Sequence, residues 1–210
     1  MKLIDTVNAQ ADEMAQLRRD LHAHPELAFE EHRTAELIAG KLAEWGIECH
    51  RGLGRTGVVG VIQGRDGGAS GRSVGLRADM DALPMTELNT FGHASRHPGR
   101  MHGCGHDGHV AILLAAAREL ASRRDFDGSV VLIFQPAEEG GGGAREMVAE
   151  GLFERWPVEA VFGLHNWPDL PTGSLAVSPG PVMASSNEFK ITIRGKGGHA
   201  AMPDRSIDPI

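Results

Sequence analysis

Val130-Val131-Leu132-Ile133-Phe134 is an unbroken apolar run, followed at once by Gln135-Pro136-Ala137-Glu138-Glu139-Gly140. A strand alternates its side chains between two faces, so a run with no polar break is a strand covered on both. Working outward, Val58–Ile62, Ser73–Arg77 and Ala160–Leu164 are further short apolar runs. Just before the central run, His109–Ala121 places Val110, Leu113, Leu114, Ala117 and Leu120 at helical spacing, with Asp107 as a candidate N-cap. Residues 5–22, with Val7, Met14, Leu17 and Leu21, and Thr34–Trp45, with Leu37, Ile38 and Leu42, read as two earlier helices. Gly46 is placed to close the second. Helices alternating with strands buried on both faces predict an α/β layered domain.

The pattern changes near residue 184. Glu188-Phe189-Lys190-Ile191-Thr192-Ile193-Arg194 alternates strictly, as a strand buried on one face does, and Gly195, Gly197 and Gly198 follow. This predicts a first domain over residues 1–183 and a second, with an antiparallel sheet, starting at 184. One strand and a turn cannot bury a core of their own. Residues 184–210 are therefore expected to be only the beginning of that domain.

Composition narrows the function classes. The chain is 41% apolar and 23% charged, ordinary for a globular protein. Its formal net charge is −7 and no lysine or arginine run dominates any segment, which argues against a nucleic-acid partner. Two cysteines, Cys49 and Cys104, are no disulfide framework. No apolar N-terminal stretch reads as a signal peptide, and no segment approaches the roughly 18–20 apolar residues of a membrane span. The expectation is a cytoplasmic protein without a membrane partner.

Three constellations carry chemistry. The first is Met101-His102-Gly103-Cys104-Gly105-His106-Asp107-Gly108-His109, a thiol and imidazoles in a glycine-rich loop entering a helix. Cys104 and His106 can turn toward one cation, and a helix N-terminus favours a thiolate. The run is equally compatible with a loop holding a buried cysteine and solvated histidines. The second is Glu138-Glu139, at the carboxyl end of the central strand, where open α/β sheets place ligands. One carboxylate can bind metal while its neighbour accepts a proton from water; an acidic turn is the plainer alternative. The third is His165, again at the end of an apolar strand. Two metals sharing one bridging ligand would need about five protein donors, at about three per metal. Cys104, His106, Glu139 and His165 are four, so a fifth is expected beyond Ile210. Arg77-Ala78-Asp79-Met80-Asp81 ends a strand with two acids that could orient a histidine, or simply cap a turn. His199 sits in the later glycine turn.

Leu76–Pro84, Met101–His109, Phe134–Glu139, Gly163–His165 and Gly195–Pro203 together resemble the M20 metallopeptidase family, in sequence and in order. The likeness extends over essentially the whole chain and is strongest to the amidohydrolase branch: hippurate hydrolases, auxin-conjugate hydrolases and N-acyl amino acid deacylases. The resemblance implies an α/β/α catalytic domain with a mixed, mostly parallel sheet, interrupted by an α+β lid domain that often mediates homodimerisation. It implies two divalent metal ions (manganese, zinc, cobalt or nickel) with Cys104 as bridging ligand and His106, Glu139 and His165 as terminal ligands. Glu138 would be the general base toward a metal-activated water. Asp79 would be an aspartate behind the ligands, although Arg77 stands where other branches carry a ligand histidine. His199 would polarise the carbonyl of a small N-acyl amino acid substrate, commonly from the neighbouring subunit. Many relatives have histidine where this chain has Asp204. Two rivals from other classes are a non-catalytic metal-binding module and a thiol enzyme with Cys104 as nucleophile and His106 as base.

Overall fold

The computed structural model describes residues 3–185, 187 and 189–210. Its contacts divide into two compact units, Met1–Pro168 and Asp169–Ile210. The division lies ahead of the boundary expected at residue 184.

The first unit contains helices α1 (Leu3–Ala9), α2 (Ala11–Ala23) and α3 (His32–Glu44), then strands β1 (Glu48–Leu53), β2 (Gly57–Gln63) and β3 (Ser73–Asp79). Helix α4 (His106–Arg123), strand β4 (Ser129–Gln135), helices α5 (Gly143–Ala149) and α6 (Leu152–Arg155) and strand β5 (Ala160–Gly163) follow. The strands form one mixed sheet of order β1-β2-β4-β3-β5. β1–β2 and β2–β4 are antiparallel, whereas β4–β3 and β3–β5 are parallel. Parallel pairs are thus half of the described pairings.

The central apolar run behaves as its composition requires. Val130, Leu132 and Phe134 join Val58 and Ile62 on the face packed by α2, α3 and α4, where Leu21, Ile38, Leu42 and Leu114 are fully buried. Val131 and Ile133 turn to the opposite face and pack with Val59, Met147 of α5 and Leu152 of α6. Burying a side chain of this size on either face contributes roughly 1.5–3 kcal/mol, so both helical layers are needed to cover β4. The single expected N-terminal helix is two, α1 and α2, broken at Gln10. β1 gives no apolar signal, because it is an edge strand in which Leu53 is the one buried residue.

The turn from β2 to β3 is built on Asp66, whose Oδ1 accepts from Gly68 N–H (2.9 Å) and Gly128 N–H (2.8 Å) and whose Oδ2 accepts from Ser70 N–H (2.9 Å). These donors hold its carboxyl down at about 2, below the ordinary 3.8. Because the folded pKa is the lower one, the contribution is present above about pH 4 and fades as pH falls toward 2. Asp66→Ala is expected to lower Tm at neutral pH, and thermal melts between pH 4 and 2 should show the difference from wild type shrinking. A pH-independent difference would show that the charge is not involved.

Among its described residues the second unit holds one isolated antiparallel bridge, Lys196–Ile207, and a 3₁₀ turn at Pro203–Arg205. Of the strand expected over 188–194, Glu188 lies outside the described residues, and Phe189–Arg194 carries no strand pairing. Phe189, Ile191 and Ile193 are exposed. A one-sided strand gains its burial from a sheet, and among the described residues none pairs with this segment. No helix among the described residues is long and apolar enough to cross a membrane.

Candidate metal centre

β4, β3 and β5 lie side by side and parallel, so their carboxyl ends open at one edge of the sheet. β3 delivers Asp79 and then Asp81, β4 leads into Glu138 and Glu139, and β5 leads into His165 and Asn166. The start of α4 meets them there.

Helix α4 begins earlier than its apolar pattern indicates. Its N-cap is Gly105, at φ 92°, and a Cβ at that position would collide with the Asn166 side chain. Glycine satisfies both demands. Asp107, expected to be the N-cap, is instead a buried residue within the first turn, where its Oδ2 accepts from His22 Nδ1 (2.8 Å) and forms an ion pair with Arg18 Nε (2.7 Å). The earlier start places His106 and His109 one turn apart on one face, their rings 5.4 Å apart. The bend after β4 depends on Ala137, a non-glycine residue at φ 50°. That left-handed conformation costs roughly 1–2 kcal/mol for a residue with a Cβ.

His106 is fully buried at the centre. Its Nε2 lies 3.6 Å from Asp79 Oδ2, 3.8 Å from Glu139 Oε1 and 4.0 Å from Glu138 Oε2, while Nδ1 lies 3.3 Å from Asp81 Oδ1. None of these contacts has hydrogen-bond geometry: His106 Nδ1 and Nε2, Asp81 Oδ1 and Glu139 Oε1 are buried polar atoms with no hydrogen-bond partner. The surrounding side chains are firmly held. Asp81 Oδ2 accepts from Glu139 N–H (2.9 Å), tying the β3 end to the glutamate turn. Arg77 Nη1 donates to Asp79 Oδ2 (2.8 Å), and its Nε and Nη2 donate to Gln135 Oε1 (2.9 and 2.6 Å). His109 Nδ1 donates to Asp79 Oδ1 (2.6 Å), and His109 Nε2 lies 2.6 Å from Asn166 Oδ1 and 3.1 Å from Asn166 N. His165 Nδ1 donates to Asn166 O (2.6 Å), and its Nε2 meets Cys104 Sγ at 3.5 Å. An imidazole fixed through one nitrogen presents the other as a donor atom.

The electrostatics follow from four carboxylates around one imidazole. Burial opposes protonation of His106, yet Asp81, Asp79 and Glu139 raise its pKa above the ordinary value. Burial also opposes ionisation of Asp79, but His109, Arg77 and His106 hold it at about 2. Glu138 is raised by burial and by Glu139 beside it. The Cys104 thiol is pushed up to about 12 by burial, then by Glu139 and the other carboxylates. Cys104 precedes the helix and faces these carboxylates, so without a cation beside it the thiol form is favoured.

Two groups of side chains each offer ligand atoms lying within 4.8 Å of one another: Asp79, His106, His109 and His165, and Cys104, His106 and Glu139. The four expected ligands are thus divided between two groups that share His106: Cys104 and Glu139 in one, and His165 with Asp79 and His109 in the other. Glu138, 4.0 Å from His106 Nε2, has 42% of its side chain exposed. His199 belongs to the second unit, where it is exposed and its Nδ1 accepts from Ala201 N–H (3.2 Å). His109 stands in the quoted loop motif without an assigned role. Its spacing of three from His106 is the signal that identifies it once α4 is known to begin at residue 106. Asp81 meets His106, and Asp79 meets His109, so each acid at the end of β3 has its own histidine.

The sequence model of the peptidase family M20/M25/M40 matches residues 75–208. Hippurate hydrolase of Campylobacter jejuni is 45% identical over 210 residues, covering 100% of this chain and 54% of the relative. N-acetylcysteine deacetylase of Bacillus subtilis is 47% identical over 196 residues, covering 92% of this chain and 50% of the relative. Among solved structures, a Bacillus subtilis protein described as a dinuclear metal binding peptidase from the M20 family superposes with TM-score 0.77 at 43% identity, over 83% of this chain and 48% of that one. A putative aminohydrolase from methicillin-resistant Staphylococcus aureus gives 0.79 at 35% identity, over 99% and 54%. The chain spans about half the length of the curated relatives it matches. The motifs gathered at the strand ends lie within or beside the matched region, and the fold around them is shared: the chain belongs to peptidase family M20/M25/M40.

Proposed function

We propose that this chain carries the metal-holding centre of an amidohydrolase that cleaves the amide bond of N-acyl amino acids, hippurate-like or N-acetylated. One observation carries the reading: His106 Nε2 and Glu139 Oε1 are buried and unpaired, with Asp79, Glu138 and Cys104 converging beside them. Buried polar atoms are normally satisfied, and a cation is what several anions, a thiol and an imidazole lone pair have in common as a partner. The residues therefore fit as four of the about five donors that the two divalent ions implied by the family resemblance would need. Cys104, His106, Glu139 and His165 would hold them, and mixed sulfur, nitrogen and oxygen donors suit zinc, manganese, cobalt or nickel. Such ions supply Lewis acidity and bring the pKa of a water toward neutrality.

The chain's own residues divide the remaining work. Glu138, raised in pKa and more open than its neighbour, takes the proton of the attacking water and hands it to the leaving amine. Asp79 orients the His109 ring and is itself held by Arg77. His199, in a lid domain beginning at residue 184, polarises the substrate carbonyl across a homodimer interface. The enzyme acts in the cytoplasm on small molecules and binds neither nucleic acid nor membrane. The names of the relatives, a hippurate hydrolase and an N-acetylcysteine deacetylase, support this substrate class.

The test is metal analysis and a panel of N-acyl amino acids on the full-length protein. Turnover of at least one substrate, abolished by a chelator and restored by manganese, zinc, cobalt or nickel, is expected. Metal binding without turnover of any amide would leave a non-catalytic metal module, and turnover surviving chelation would restore the thiol mechanism.

A further inference from the structure

Glu31 occupies the N-cap position of α3, where an acid ordinarily accepts the helix's own first N–H groups. Here Glu26 does that instead, accepting from Arg33 N–H (2.9 Å) and Thr34 N–H (2.8 Å). Glu31 is fully buried, and its carboxylate is used across the domain. Oε2 accepts from Thr56 Oγ1 (2.5 Å) and Oε1 accepts from Ala137 N–H (2.8 Å). Ala137 is the residue whose positive φ turns the chain from β4 into Glu138-Glu139. Left to itself an alanine avoids that conformation. Burying a carboxyl group is also unfavourable unless it is hydrogen-bonded, and of the two partners of Glu31, Ala137 N–H is the one that belongs to the strained bend.

We infer that Glu31 is a positioning residue: through Ala137 N–H it holds the left-handed bend that aims Glu138 and Glu139 at His106. The functional sense of the inference rests on the metal-hydrolase reading above, but the bend itself does not. The link spans 106 residues of sequence and joins the start of α3 to the end of the central strand. One further contact braces the same bend: Gly143 N–H donates to Ala137 O (3.1 Å), an approach so close that a Cβ at Gly143 would collide with Pro136 O.

The test uses the full-length enzyme loaded with manganese. Glu31→Leu removes both acceptors at similar volume. It is expected to lower kcat about 100-fold with little change in KM, as a small misplacement of reacting groups does. Manganese affinity by calorimetry should fall about 10–100-fold, the usual cost of losing an outer partner of a ligand. Glu31→Gln keeps an acceptor for Ala137 N–H, and Thr56→Val leaves that bond untouched, so both should stay near wild type. The deciding variant is Glu31→Leu/Ala137→Gly. Glycine enters the left-handed region unaided, so this double variant should recover at least about tenfold in kcat, together with most of the manganese affinity. A role confined to filling the core would not be rescued by a glycine at 137. Wild-type kcat and affinity in Glu31→Leu, or a double variant no better than the single one, would overturn the inference. If Glu31→Leu does not fold, Glu31→Asp, one methylene short of spanning both partners, is read in the same way. If the wild type binds manganese but cleaves no N-acyl amino acid, the hydrolase reading fails, and the affinity comparison still decides the role of Glu31.

Discussion

Glu138→Gln is expected to lower kcat by about 10²–10⁴-fold, the range that a positioned general acid–base contributes, while metal content stays at the wild-type level. The two glutamates are adjacent in sequence but differently placed. Glu139 has a buried, unpaired Oε1, and its backbone N–H is fastened to Asp81, as suits a group that faces a cation. Glu138 lies farther from His106 Nε2, at 4.0 Å, and is the more exposed of the two. Burial and the adjacent Glu139 raise its pKa, the direction that a proton acceptor working near neutrality needs. Glutamine keeps the shape and the carbonyl oxygen and removes the ability to take a proton. Steady-state kinetics and metal analysis on the same preparation check this. Activity retained in the variant would take Glu138 out of the role, and activity lost together with metal would make it a ligand.

His106→Ala should empty the centre. His106 is the one residue common to both candidate ligand groups, so its loss removes a donor from each at once. It also withdraws the one imidazole that Asp79, Asp81, Glu138 and Glu139 all face, leaving their mutual repulsion uncompensated. Metal affinity should fall by more than the roughly 10–100-fold that loss of an outer partner costs, and turnover should be lost. Because the ring is fully buried, the variant should also melt at a lower temperature. Calorimetric titration with manganese and a thermal melt read the two effects separately. Metal bound at wild-type affinity would exclude His106 as a ligand.

The sheet and much of the centre could be read from the sequence because strong local patterns carry them. Val130–Phe134 has no polar residue to expose, so it had to lie between two layers, and acids that follow such a strand have to emerge at its open end. Cys104 and His106 announce themselves by glycines that only a close approach requires. Other parts were silent for physical reasons. β1 is an edge strand with a polar sequence, and one buried residue is too little periodicity to detect. The true start of α4 is set by the fit of Gly105 against Asn166, a contact 61 residues away in sequence that no local propensity encodes. The role of His109 was hidden with it. Glu31 was unreadable for the opposite reason: its position at a helix start suggests a cap, and its partner lies 106 residues away. The strand expected after residue 188 carries the right alternation, but alternation specifies a face to be covered and not what covers it.

The four carboxylates that converge on His106 come from the ends of β3 and β4, while the imidazole comes from the start of α4. A cation held among them is a ligand of the folded state alone, since the unfolded chain scatters those groups. Mass action then ties conformational stability to metal supply. At a free metal concentration 100 times its Kd, binding adds about 2.7 kcal/mol to the unfolding free energy. The melting temperature of this protein should therefore track the divalent-ion content of its buffer. A thermal-shift series across candidate metals would rank their affinities without any substrate at all.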